Sequence, residues 1–345
     1  MKISTSPLLA CLLLLVTASA LCASHTYTYT MIDLGVPAGD GFAVPRGVNA
    51  SGQVTGADGP ADGESSDVFV YSNGTFTNLG TLGGNSGIGN GINTSGQVTG
   101  YSTNASGAYR AFISNGDSLL DIGDLGGGSA VAYALNDAGQ VVGSSVTEDG
   151  SNHPFLYSNG QMIDLGTLGS PQGGEWWNSA EGINNSGVVT GYGYTSSGGL
   201  SGFTWSNGVM TALPNLGAEW TEAYAINNNG QVTGISQNKK GQSHAFIASP
   251  DGTIKDLGAI GGKYAASWGF GINDSAVVVG RVETDEGAYV AFVYNGKEMQ
   301  NLNFLVKADR GWTLIEARGI NNAGQIVCTG EDTQGNLHTF LLTPQ

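Results

Sequence analysis

A chain of 345 residues with 28 acidic and 12 basic side chains carries a formal charge of −16, which makes nucleic acid and anionic membrane surfaces poor partners. Of its three cysteines, Cys11 and Cys22 lie in or beside the leader, so a disulfide framework is excluded and stability has to come from packing. Fifty-seven glycines with only 12% charged residues favour short strands and tight turns over helices.

Residues 1–23 contain Lys2 as their only charge, then the apolar run Leu8 to Val16, then small residues at Ala18-Ser19-Ala20 and Ala23. That is the layout of a secretory signal peptide; the run falls short of the roughly twenty apolar residues a membrane span takes. The mature chain, 24–345, is therefore expected to be exported, secreted or periplasmic, with no membrane span and a single domain. Tyr27 to Gly35 (Y-T-Y-T-M-I-D-L-G) reads as one strand on its own.

From there one ten-residue phrase returns seven times, starting at Gly47 (G-V-N-A-S-G-Q-V-T-G), Gly91, Ala134, Gly182, Ala225, Gly271 and Gly319 (G-I-N-N-A-G-Q-I-V-C). Its asparagines, Asn49, Asn93, Asn136, Asn184, Asn227, Asn273 and Asn321, are 43 to 48 residues apart. Self-similarity at that period in strand-forming residues predicts the blades of a β-propeller. In the unit Ala223 to Gly262, Tyr224-Ala225-Ile226 reads as strand A, Asn227 to Gly230 as a glycine-locked turn, Gln231 to Ser236 as strand B, His244 to Ile247 as strand C and Thr253 to Leu257 as strand D. The C to D turn is read as a two-residue turn at Asp251-Gly252, and again as Asn73-Gly74, Asn115-Gly116, Asn159-Gly160, Asn207-Gly208 and Asn295-Gly296.

Strand C carries Phe69, Phe112, Phe155, Phe203, Phe246, Phe292 and Phe340 at matched positions, one aromatic per unit to fill the gap between sheets. Strand D ends in D-L-G or a variant, with Asp33, Asn78, Asp121, Asp164, Asp256 and Asn301 expected to cap turns. After Asn321 the chain supplies strands A, B and C and no D, while the front supplies a D strand alone. The front strand should therefore complete the last blade and close the ring, giving an all-β, seven-bladed propeller without the exposed sheet edges an open array would present.

The tripeptide His244-Ala245-Phe246, followed after a turn by Asp256-Leu257-Gly258, resembles the extracellular HAF repeat family, and the likeness runs from Tyr27 to Gln345. It implies an exported bacterial repeat protein and no settled biochemical activity. Other copies vary the triplet, as in Tyr109-Arg110-Ala111-Phe112 and His153-Pro154-Phe155.

Strand order puts the A to B and C to D turns on one face and the longer, more variable B to C and D to A connections on the other. Trp176, Trp177, Trp220, Trp268 and Trp312 fall in D to A connections of consecutive units, accompanied by Glu175, Glu219 and Glu222, and by Glu181, Asp309 and Glu316. Flat apolar rings beside carboxylate acceptors suit sugar stacking with hydroxyl bonding, or an extracellular protein partner. The alternative is that the indoles plug the channel mouth or pack on neighbouring loops. The expected function is a non-enzymatic binding module for carbohydrate first and an envelope protein second. A polysaccharide hydrolase or lyase using the Glu219/Glu222 or Glu175/Glu181 pair, or a purely structural protein, are the competing readings. No catalytic or metal motif is present, and no cofactor is expected; only the acidic, glycine-rich stretches Asp58 to Asp67 and Glu283 to Gly287 offer oxygen ligands of the kind Ca²⁺ takes.

Overall fold

The computed structural model describes residues 29–169, 178–307 and 311–345. The expected leader lies outside them, as do Glu175, Trp176, Trp177 and Asp309. Apart from one 3-10 turn, Leu302–Phe304, the regular elements among the described residues are all strands, and none of their helices is long and apolar enough to cross a membrane.

The strands form sheets of four, antiparallel and side by side in chain order. In one sheet these are Gly217–Ile226, Val232–Asn238, Ser243–Ala248 and Ile254–Asp256; a single parallel bridge, Leu200 to Trp220, links it to the sheet before. The inner strands are Phe42–Val48, Gly83–Ile92, Gly126–Leu135, Ser179–Ile183, Gly217–Ile226, Ala266–Ile272 and Trp312–Ile320. Each touches the next, and the last touches the first. Tyr29–Gly35 pairs antiparallel with Leu337–Pro344, Asp33 opposite Phe340, so the front strand completes the sheet that the tail leaves one strand short. The arrangement is that of a β-propeller.

The repeated asparagine fastens the circuit. Its side-chain oxygen accepts the N–H groups two and four residues on, as Asn227 does from Asn229 and Gln231, which holds the turn while Gly230 takes φ 76°. Its amide nitrogen donates to the backbone carbonyl of the asparagine in the next sheet: Asn49 to Asn93, Asn93 to Asn136, and onward to Asn321, which donates to Asn49. These bonds are 2.9 to 3.3 Å long and buried. Where the phrase has Gln four residues on, its side-chain oxygen takes a second hydrogen from the asparagine amide, as at Gln53 and Gln231.

The phenylalanines of the third strands fill the space between sheets, all seven 0 to 1% exposed. At the outer strand ends Asp33, Asn78, Asp121, Asp164 and Asp256 accept the N–H of the glycine two residues on, as expected of caps. The same carboxylates explain the histidine of the triplet: His153 Nδ1 bonds Asp164, His244 bonds Asp256 and His338 bonds Asp33, at 2.8 to 2.9 Å. In the varied copy Arg110 takes that place against Asp121 at 2.8 Å. Desolvation would raise the Asp256 carboxyl, but the bonds from His244 and the Gly258 N–H hold it below its ordinary value. The triplet is a clip between third and fourth strands.

Several details depart from expectation. At Asn115-Gly116 the strand runs through Asn115, which faces Ser118, so the two turn residues are Gly116 and Asp117. Asn73-Gly74, Asn159-Gly160 and Asn207-Gly208 do take positive φ at both residues, the geometry of a two-residue hairpin. Asp251-Gly252 instead belongs to a longer turn in which Ser249 N–H donates to Thr253, because Pro250 has no N–H for the ladder and the strand stops at Ala248. Asn295-Gly296 also sits in a longer turn, with Asn295 N–H donating to Glu298. Asp58, expected in a loop, lies in the strand Val54–Gly59. Asp285, from the other stretch, is occupied by the N–H groups of Lys263 and Tyr264. Among the described residues no group of three or more acidic, histidine or cysteine side chains is placed to hold a metal ion.

Asp58 is 1% exposed and neither carboxylate oxygen has a hydrogen-bond partner. Burial first, then the charges of Asp40 and Asp67, push it up to about 7. A folded-state value above the unfolded one, 3.8, means the folded protein holds the proton more tightly, so stability falls as pH rises from about 4 through 7. Asp58→Asn removes that term. The variant should be more stable than wild type at pH 8, by an amount on the order of 2–4 kcal/mol, and the gap should shrink to about 1 kcal/mol or less at pH 4.5; an equal gap at both values in paired thermal melts would refute the assignment.

Candidate functional site: an axial cavity aimed by seven bulges

Every inner strand slips register at the same place. In the pairing with the second strand, Pro45 faces Gly56 and Gly47 faces Thr55, leaving Arg46 unopposed. The same skip isolates Asn90, Tyr133, Glu181, Tyr224, Phe270 and Arg318. A bulge of this kind turns the extra side chain out of the alternation of the strand. All seven bulged residues line one cavity of about 550 Å³, within the size range of small-molecule sites. Small neighbours make the turn possible: the triplets read Gly89-Asn90-Gly91, Ala132-Tyr133-Ala134, Ala223-Tyr224-Ala225 and Gly269-Phe270-Gly271. At Gly91, for instance, an added Cβ would stand 3.1 Å from Leu135 and 3.4 Å from the Ala134 backbone.

Val131, Trp268, Tyr101, Tyr109 and Arg281 complete the wall. Tyr109 opens a third strand, Tyr109–Asn115, and is 43% exposed, so the cavity reaches the end of the sheets where the B to C connections lie. At the opposite end the repeat asparagines and the aliphatic residues before them, Val48 through Ile320, surround a separate shallow depression.

The cavity is electrically two-sided. Arg318 and Arg46 are adjacent in the circuit, with Arg281 beside them. Glu316 is shared by Arg281 at 3.2 Å and by the Arg318 Nε. The Arg318 guanidinium lies 4.2 Å from the Phe270 ring centre, and that of Arg281 lies 5.0 Å from Trp268 and 4.6 Å from Tyr289. Arg46 makes no ion pair among the described residues, and its buried Nε has no hydrogen-bond partner. Burial first, and then Arg318, lower its pKa from the usual arginine value.

Across the cavity stand Tyr133, Glu181 and Tyr224, with Tyr192 and Glu222 behind. Glu222 accepts from Trp220 Nε1 at 3.0 Å and from the Tyr224 hydroxyl at 2.5 Å. Desolvation, reinforced by the Glu222 charge and opposed by Arg318, pushes Glu181 up to about 7. Burial likewise raises Tyr133, Tyr192 and Tyr224 far above the ordinary phenol range, so all three stay protonated donors.

The expected tryptophan sector is redistributed. Trp220, Trp268 and Trp312 are not in connections: the inner strands extend outward far enough to include them. Trp268 lines the cavity and Trp220 braces Glu222 behind its wall. Trp312 lies elsewhere, 4.3 Å from the His338 ring and 5.3 Å from Phe340, over a smaller cavity with Met31 and Val306. Glu219 is exposed on its strand while Glu222 is buried, so the two do not act on one spot. Trp176, Trp177 and Glu175 lie outside the described residues. Sequence reasoning missed the bulged set. Its signal is a small–large–small triplet whose middle residue varies, set directly before a phrase that hardly varies.

No protein-family model matches the chain, and no curated protein sequence matches it. Among solved structures it is similar to a puromycin hydrolase, with TM-score 0.57 and 13% identity over 89% of this chain and 52% of that one. It is similar to the acylaminoacyl peptidase of Pyrococcus horikoshii, with TM-score 0.52 and 11% identity over 88% and 51%. TolB from Acinetobacter baumannii matches with TM-score 0.45 and 14% identity over 81% and 76%. The chain thus spans about half the length of the two hydrolases. At these identities the likeness concerns the fold alone, an all-β propeller.

Proposed function

We propose that this chain is an exported, seven-bladed β-propeller of the HAF repeat kind that binds carbohydrate without transforming it, and that its ligand enters the axial cavity. Export rests on the leader-like residues 1–23; the blade count rests on the seven phrases and the seven-membered asparagine circuit. The observation that carries the binding reading is the bulge repeated on every inner strand. A scaffold needs the same residue at such a position, whereas these seven carry Arg, Asn, Tyr, Glu, Tyr, Phe and Arg. Indole and phenyl faces, phenol donors and carboxylate acceptors in one concavity fit a polyhydroxylated ring.

A glycan array probed with wild type, Trp268→Ala, Trp176→Ala and Tyr264→Ala tests this. Trp268→Ala should lose about tenfold or more in affinity, as removal of a buried aromatic contact does, and Tyr264→Ala, at a site 75% exposed, should lose nothing. Binding abolished by Trp176→Ala and untouched by Trp268→Ala would return the site to the connections; no glycan bound by wild type would end the carbohydrate reading in favour of a protein partner.

One observation favours hydrolysis as a second reading. Glu181 lines the cavity and is pushed up to about 7, chiefly by burial, which is the range in which a carboxyl serves as a general acid. Shortened products from a bound glycan, stopped by Glu181→Gln, would move the assignment from module to enzyme.

A further inference from the structure

The charge placement says more about the ligand than the shape does. The chain carries −16 overall and only five arginines, yet three of them, Arg46, Arg281 and Arg318, converge on this one cavity. Glu316 forms ion pairs with two of the three and reaches Arg46 only through its longer-range charge. That leaves Arg46 without an ion pair among the described residues and with its Nε buried and unbonded; the buried Nε of Arg281 is unbonded as well. A half-buried guanidinium with no ion pair and one buried, unbonded N–H is under-satisfied unless something else completes it. Its planar fork fits a carboxylate in two-point contact. The opposite wall, with Glu181 and the phenols of Tyr133 and Tyr224, suits hydroxyls and repels a second acid.

We infer that the cavity takes an acidic sugar residue, a uronate, with its carboxylate on Arg46 and its ring hydroxyls toward Glu181, Tyr133 and Tyr224. This rests on the cavity reading above and goes beyond it in naming the charge of the ligand and the residue that reads it. The surplus of acid on the rest of the surface makes the selection sharper, since a polyanion gains nothing outside the cavity. Arg46 itself is a specificity residue, not a scaffold one: the same bulge carries Asn90 and Phe270 in other sheets without loss of the fold.

The test uses the intact protein and matched probes: uronate-containing oligosaccharides and the same oligosaccharides with the carboxylate reduced to a hydroxymethyl group, titrated calorimetrically. Wild type should bind the uronate form at least tenfold more tightly. Arg46→Gln should bring the two forms level, with the larger loss falling on the uronate form, and Arg46→Lys, which keeps the charge without the fork, should fall between. Equal binding of both forms by wild type, or discrimination that survives Arg46→Gln in a variant with an unchanged melting curve, overturns the inference and leaves the cavity reading standing. If neither form binds wild type, the cavity reading fails first and the inference with it.

Discussion

A protein lacking residues 24–35 is expected to lose its cooperative unfolding transition and to aggregate. The strand Tyr29–Gly35 contributes a ladder from Tyr29 opposite Pro344 to Gly35 opposite Thr339, and it buries Tyr29 and Leu34, 3% and 9% exposed. It also supplies Asp33 to His338 and Thr30 to Gln345. With about 0.5–1.5 kcal/mol per ladder bond and about 1.5–3 kcal/mol for each large apolar side chain, the strand holds a share of stability comparable with the roughly 5–15 kcal/mol of a whole domain. Its loss also leaves Leu337–Pro344 as an unpaired apolar edge, a template for association with other copies. A synthetic peptide covering residues 27–35, added in excess, should restore a sharp melt by refilling the place. A truncated protein that stays monomeric and melts as wild type does would show that the circuit is not held by this strand.

That expectation was open to reading from the chain because the information is local and counted. The asparagine turn, the Asn-Gly hairpins and the buried phenylalanines each follow from a few neighbouring residues, and the missing fourth strand at the tail matches the surplus strand at the front. The inner strands were harder. Gly83–Ile92 reads G-G-N-S-G-I-G-N-G-I and Gly126–Leu135 begins G-G-G-S, sequences with little strand propensity of their own, so their outer halves look like connection. Pairing with the second strands and crowding about the axis make them extended, and that is why Trp220 and Trp268 belong to strands. The bulge is harder still, since one skipped residue leaves no mark in alternation once the flanking residues are glycine or alanine. Without it, Arg46 and Glu181, 135 positions apart in sequence, have no reason to face one cavity.

Exchanging the residues that end the phrase should separate a packing demand from a habit of composition. At Gly100, Gly191, Gly234 and Gly280 an added Cβ would stand well inside 3.0 Å of a carbonyl oxygen on the inner strand, that of Ile88, Ser179, Glu222 and Trp268 respectively. Those carbonyls are backbone and cannot step aside, and at Gly280 the ring of Phe292 closes the other side. The seventh phrase ends in Cys328, wholly buried. There the inner strand carries a second single-residue shift, between Leu314 and Glu316, nearer to the usual one than the wider shifts at Gly83/Gly87, Gly126/Ala130 and Gly217/Thr221 in other sheets. The extra bulge makes the room that the thiol occupies. Gly280→Cys should therefore cost about 3 kcal/mol or more, beyond the usual range for an overfilled core because main chain must move. Cys328→Gly should cost only about 1–2 kcal/mol, the loss of a small buried side chain plus the freedom of glycine. Chemical denaturation of both variants, with Gly280→Ala beside them, reads the difference directly. Gly280→Ala should fall near Gly280→Cys, since the first carbon is what collides. A Gly280→Cys protein as stable as wild type would mean that the second bulge follows from something other than the cysteine, and the steric account of the phrase would have to be given up.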